Sequence, residues 1–173
     1  MSVTCLYTLA DIDAALAGVA AAIDRDFSDC AEPIVVLVIM KGALVTAGVL
    51  LPKLTLPIEV DYVHATRYQG NEPASELTWL HRPQVNLAGR RVLLVDDILD
   101  QGITLAEVRE YCINQGADKV KSMVLARKVL AEPAVINADY EALTVPDQYV
   151  FGFGMDDREL SRNLPGIYVK STS

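Results

Sequence analysis

The chain has 173 residues, 51% hydrophobic and 22% charged, the proportions of one ordinary globular domain with a buried core. They exclude a collagen-like rod, long disorder and a small disulfide scaffold. Fifteen Lys and Arg against 23 Asp and Glu leave a formal net charge of -8, which argues against non-specific binding to nucleic acid or to an anionic membrane.

Cys5, Cys30 and Cys112 are odd in number and form no C-x-x-C pair, so they read as free thiols in a reducing, cytoplasmic setting. Asp11 and Asp13 interrupt the first apolar stretch, and no secretory signal is expected. Ile12, Leu16, Val19, Ile23 and Phe27 recur at helical spacing, which predicts a long first helix with Asp11 as its cap. Residues 34–51 are nearly all apolar and imitate a membrane span. Lys41 near their middle would cost ~2.5–3.5 kcal/mol in a bilayer. They are read instead as a buried strand over 34–40, a turn at Lys41-Gly42 and a helix over 43–51.

A strand over 58–66 follows. Gly70, Asn71, Pro73 and Ser75 then break any periodicity, so 67–82 is expected to be a long loop of the kind that serves as a lid. Val92 to Val95 form an apolar strand running into acidic residues. A helix over 104–115 turns Leu105, Val108 and Cys112 inward and stops at Gly116. Further strands are expected over 120–125 and 149–153. Alternating strands and helices predict an α/β fold with a mainly parallel central sheet flanked by helices, and ligands outside the carboxyl ends of its strands. A core over about 10–128 is expected, with a small subdomain, mainly 129–173 plus the N-terminal residues.

The informative segment is VDDILDQGIT, residues 95–104: a strand end, three carboxylates, a glycine and a helix start. Free amides at a helix N-terminus favour an anion, and Gly102 lets them converge, so Gln101, Gly102, Ile103 and Thr104 are expected to cradle a phosphate. Asp96, Asp97 and Asp100 would repel a bare phosphate. A ribose 5-phosphate satisfies both demands, its phosphate in the nest and its hydroxyls on the acids, alone or through Mg2+. The plainer alternative is that the acids only cap the following helix. A phospho-accepting receiver domain also sets paired acids at a strand end, but on its first strand.

This stretch resembles the phosphoribosyl-pyrophosphate motif of the type I phosphoribosyltransferases, and most of residues 34–168 resembles their bacterial hypoxanthine-guanine branch. Met40-Lys41-Gly42-Ala43 is similar to that family's pyrophosphate loop. Arg67-Tyr68 stands at its mobile lid, about 67–82. Residues 146–156 resemble its purine-binding hood, and Arg162 follows as in relatives.

The resemblance implies Mg2+-dependent purine salvage. Hypoxanthine or guanine would displace pyrophosphate from phosphoribosyl pyrophosphate, giving IMP or GMP. It implies Asp100 as general base or acid, Asp96 and Asp97 on the ribose hydroxyls and a metal, and Asp156 on a second metal. Lys41, Gly42, Arg67, Tyr68 and Arg162 would attend the pyrophosphate. Tyr149 would stack on the purine, the Val150 backbone would meet its edge, and Lys128 would donate to O6. A homodimer or homotetramer is implied, without nucleic-acid or membrane partners. Three positions depart from the common pattern: Gln101 in the phosphate nest, Arg67 before the lid tyrosine, and Arg127 where an acidic residue usually precedes the lysine. A uracil phosphoribosyltransferase that regulates a pyrimidine operon through RNA is the alternative within the fold.

Overall fold

The computed structural model describes residues 2–69 and 72–171, with the side chains of 67–69, 72–76 and 171 left aside. The largest sheet has six strands in the order β4-β3-β2-β5-β6-β7. These are β2 (Ile34–Met40), β3 (Ile58–Gln69), β4 (Glu72–His81), β5 (Arg91–Leu99), β6 (Lys119–Val129) and β7 (Tyr140–Pro146). Only the β3–β4 pairing is antiparallel within it. The expected mainly parallel α/β sheet is therefore present.

Alternation along the central strands explains the layers. Ile34, Val36 and Val38 of β2, with Leu93 and Val95 of β5, face one side, where they bury α1 (Leu9–Asp26) and α2 (Ala43–Leu50). Val35, Leu37, Ile39, Val92 and Leu94 face the other and pack beneath α3 (Ile103–Asn114). Both faces are apolar because both are covered, which is why β2 reads as an unbroken hydrophobic run. Among the described residues no helix is long and apolar enough to cross a membrane.

Four local readings change. The cap of α1 is Thr8, whose hydroxyl accepts from the Asp11 amide at 3.3 Å while Asp11 Oδ2 accepts from the Thr8 amide at 2.9 Å. Asp11 is thus the third residue of a reciprocal capping box rather than the cap. The expected loop over 67–82 is largely strand, because β4 folds back antiparallel on β3 and its ladder satisfies the backbone groups that the irregular sequence left unassigned. Residues 140–146, read with the tail, form the sixth strand of the large sheet through parallel pairing with β6. Of 149–153, only β8 (Val150–Phe151) is strand; it joins β9 (Ile167–Ser171) and the N-terminal β1 (Ser2–Tyr7) in a small sheet ordered β1-β9-β8.

Leu94 is fully buried on β5, the strand that delivers the acidic residues. Leu94→Ala is expected to cost about 2–5 kcal/mol. The urea midpoint should fall with unchanged slope; an unaltered midpoint would show that β5 is not held by its core face.

Candidate active site

Asp96 and Asp97 stay inside strand β5, with Asp100 just beyond its end, because the ladder with β6 continues through Asp96↔Val124, Ile98↔Ala126 and Leu99↔Arg127. The Asp97 amide donates to Asp96 Oδ1 at 2.9 Å, and the Ile98 amide to Asp97 Oδ1 at 2.7 Å, so each carboxylate is pinned by the next peptide. Asp96, Asp97, Asp100 and the whole 101–104 turn line one open cleft of ≈ 660 Å³, together with Gly42 and Asp156.

Two helix N-termini open onto this cleft, and neither is capped by a side chain. Gly102 begins α3 with φ +79, a left-handed conformation that glycine adopts without penalty, and the first-turn amides beyond it have no side-chain acceptor. Gly42 begins α2, also without a side-chain cap. Its lack of a side chain serves space: a β-carbon there would overlap the Asp97 carboxylate. The sequence pointed to the α3 nest; that α2 directs a second positive end into the same cleft is a finding of the fold. The Met40–Lys41 peptide before it is cis.

Between those positive ends, the acidic pair is electrostatically unfavourable by itself. Burial, reinforced by the Asp97 charge, pushes the Asp96 carboxyl well above the usual range; burial also raises Asp97. Such a pair favours a bound cation or hydroxyl donors. Among the described residues, no three acidic, His or Cys side chains form a ready metal cage. Asp156 is engaged by Arg162 at 3.1 Å and accepts from the Glu159 amide at 2.9 Å. The set suits Mg2+, which takes one or two carboxylates and fills its shell from ligand phosphates and water.

Asp100 and Lys128 meet directly. Lys128 Nζ donates to Asp100 Oδ2 at 2.6 Å, with the lysine side chain largely buried at 14% exposure. This supplies the lysine partner that the Arg127 departure left open, while Arg127 itself pairs with Glu141 on β7 at 2.7 Å. Tyr149 is exposed, with its hydroxyl donating to the Asp156 carbonyl at 2.9 Å; burial of that phenol raises its pKa. Val150 is buried on β8, an edge strand of the small sheet. Arg162 also donates to the Gly154 carbonyl at 2.8 Å, and Lys41 pairs with Glu159 at 2.9 Å. The side chains of Arg67 and Tyr68 lie outside the described residues.

A family model described as Phosphoribosyl transferase domain matches residues 3–159, nearly the whole chain. The chain belongs to the phosphoribosyltransferase family. Among relatives of this phosphoribosyltransferase, a hypoxanthine-guanine phosphoribosyltransferase of Aquifex aeolicus is 32% identical over 139 residues, 80% of this chain and 78% of the relative. One from Staphylococcus aureus is 28% identical over 163 residues, 94% of this chain and 90% of that one. The solved hypoxanthine phosphoribosyltransferase of Staphylococcus aureus has a TM-score of 0.89 at 27% identity, covering 97% of this chain and 91% of its own. A hypoxanthine-guanine phosphoribosyltransferase from Bacillus anthracis gives 0.86 at 27% identity, covering 97% and 99%.

Sequence reasoning missed two participants in this phosphoribosyltransferase. Glu159 joins Lys41 and Arg162, with the Asp156-Glu159-Arg162 spacing of three as the available signal. Gly154 packs against the Gly42 carbonyl so closely that a β-carbon would collide with it, and nothing in one sequence marks that contact. The two histidines, His64 and His81, are cross-strand neighbours, and His81 stacks on Tyr62 with ring centroids 4.1 Å apart. Trp79 packs as part of the α3-side core, against Tyr111.

A raised folded-state pKa at Asp96 means stability is fully present below the ordinary aspartate pKa and falls as pH rises through the folded value. At neutral pH the pair therefore weakens the fold. Asp96→Asn should raise the melting temperature at pH 7 by about 2–4 °C, what ~1 kcal/mol does in a domain this size. The gain should vanish near pH 3; a lower melting temperature at pH 7 would contradict the unfavourable pairing.

Proposed function

We propose that this phosphoribosyltransferase carries out 6-oxopurine salvage, moving the 5-phosphoribosyl group from phosphoribosyl pyrophosphate to hypoxanthine or guanine and releasing IMP or GMP with pyrophosphate. The observation that carries the reading is one cleft with two uncapped helix ends, an acidic pair between them, and the Lys128–Asp100 ion pair at its border.

The 101–104 turn holds the 5′-phosphate through backbone amides, so the departure at Gln101 leaves the main-chain donors intact. Lys41, the α2 end and Arg162 attend the pyrophosphate, together with Arg67 and Tyr68 near the end of β3. Asp96, Asp97 and Asp156 are the residues that would hold Mg2+, which would supply neutralising charge to the pyrophosphate as it leaves. Asp96 and Asp97 also accept from the ribose hydroxyls and orient the sugar, leaving the face opposite the pyrophosphate to the base.

Asp100 takes the N7 proton as N9 attacks C1 of the ribose, and its charge stabilises the cationic sugar. Lys128 donates to Asp100 and makes the pair neutral as a unit, so an uncharged purine enters without meeting a bare carboxylate. An ammonium only donates, so it pairs with the O6 of hypoxanthine or guanine, which accepts, and rejects the amino group of adenine, which donates. Tyr149 stacks on the base, and the backbone of Val150 on its edge strand meets the ring. The hood is the small sheet with its connections, the enzyme is cytoplasmic, and it acts as a homodimer or homotetramer. Light scattering on the purified protein reads that assembly.

Incubation with Mg2+, phosphoribosyl pyrophosphate and each of hypoxanthine, guanine, xanthine, adenine and uracil tests the reaction. IMP and GMP should form, and neither AMP nor UMP; silence with every base defeats the assignment. Asp100→Asn should lower kcat about 10²–10⁴-fold, the worth of a positioned proton acceptor. Unchanged turnover would remove Asp100 from the chemistry. Gly42→Ala should displace Asp97 and cost about 100-fold in kcat/KM, as misplacements near 1 Å do. Retained activity would show that the close approach is dispensable.

A further inference from the structure

Residues 157–160 form a tight turn closed by two backbone bonds, Asp157 amide to Leu160 carbonyl at 2.9 Å and Leu160 amide to Asp157 carbonyl at 3.1 Å. Arg158 and Glu159 fill its central positions with φ of +53 and +65. Left-handed conformations at both central positions favour Gly, Asn or Asp; a glutamate there carries a steric penalty. Burial does not explain it, since the Glu159 side chain is 70% exposed. The carboxylate reaches across 118 positions of sequence to Lys41 Nζ at 2.9 Å, and lies 3.6 Å from Arg162. Both cations lower its pKa. A strained backbone thus presents one carboxylate to two cations that belong to different loops.

We infer that Glu159 is an internal competitor for pyrophosphate: its carboxylate bridges Lys41 and Arg162, and a pyrophosphate group engages those cations by displacing it. The inference rests on the assignment of Lys41 and Arg162 to pyrophosphate under the proposed function. A pyrophosphate carries more charge than one carboxylate and wins the exchange when bound. The exposed carboxylate is a weak rival. Its return to the cations opposes rebinding and hastens release of the product, at the expense of a weaker hold on the donor. A residue that merely braced the two cations would have the opposite effect on affinity.

The test compares wild-type protein with Glu159→Gln and Glu159→Gly by calorimetric titration with inorganic pyrophosphate plus Mg2+, and with IMP, which contains no pyrophosphate. Glycine suits the left-handed position, so the second variant should melt no lower than wild type. Both variants should bind pyrophosphate about three- to tenfold tighter, the scale of an exposed ion pair and its lost repulsion. The IMP affinity should not move. In steady state the KM for phosphoribosyl pyrophosphate should fall by a similar factor, with the KM for hypoxanthine unchanged. Equal or weaker pyrophosphate binding in both variants overturns the competitor, as does an equal gain for IMP. Wild-type protein that binds no pyrophosphate overturns the site assignment itself.

Discussion

The cleft depends on a chain of two close contacts, the Asp97 carboxylate against Gly42 and the Gly42 carbonyl against Gly154, each possible only because the glycines carry no β-carbon. Asp97 comes from the central strand, Gly42 from the start of α2, and Gly154 from the turn after β8. Three segments of unrelated sequence position are thereby fixed against one another at van der Waals distance. Interiors transmit such constraints because they are packed like solids. Widening any of the three moves the other two, and with them both helix ends that face the ligand.

Around that contact, charge is arranged so that each part is incomplete alone. The α1 terminus is closed by its own capping box and does no chemistry. The α2 and α3 termini are left open, positive, and aimed at a cleft whose floor holds two carboxylates that resist ionisation. A ligand with anionic ends and a hydroxylated middle satisfies both sets of groups at once. A simple phosphate, a bare cation or an apolar molecule satisfies only one. The stability that the protein forgoes at Asp96 and Asp97 is the physical trace of that selectivity.

Much of this was legible in the residue order. The apolar run over 34–40, once Lys41 argued against a membrane span, read as a strand buried on both faces, and its bounds agree with β2. The glycine and the acids of residues 95–104 pointed to the nest. What escaped reading was tertiary. β5 was expected to end at Val95 because carboxylates usually mark a loop, yet pairing with β6 carries the ladder to Leu99. The antiparallel pairing of β3 with β4 was hidden as well, since those strands are stabilised by partners and not by alternation. The Lys128–Asp100 pair spans 28 positions and joins two neighbouring strands, a register that no local pattern reports.

The small sheet pairs Ser2 with Ser171 and Tyr7 with Ile167, the opposite extremes of the described chain. On the ribosome, the N-terminal strand therefore waits unpaired while the six-stranded sheet behind it can already close. Its partner becomes available only when residues 167–171 have been translated and have left the exit tunnel, some seconds later at ordinary elongation rates. Until then Ile167 and Val169 are missing from the core shared with α1 and α2. The nascent polypeptide can thus own its acidic strand and its helices well before it owns the wall that carries Gly154 in place.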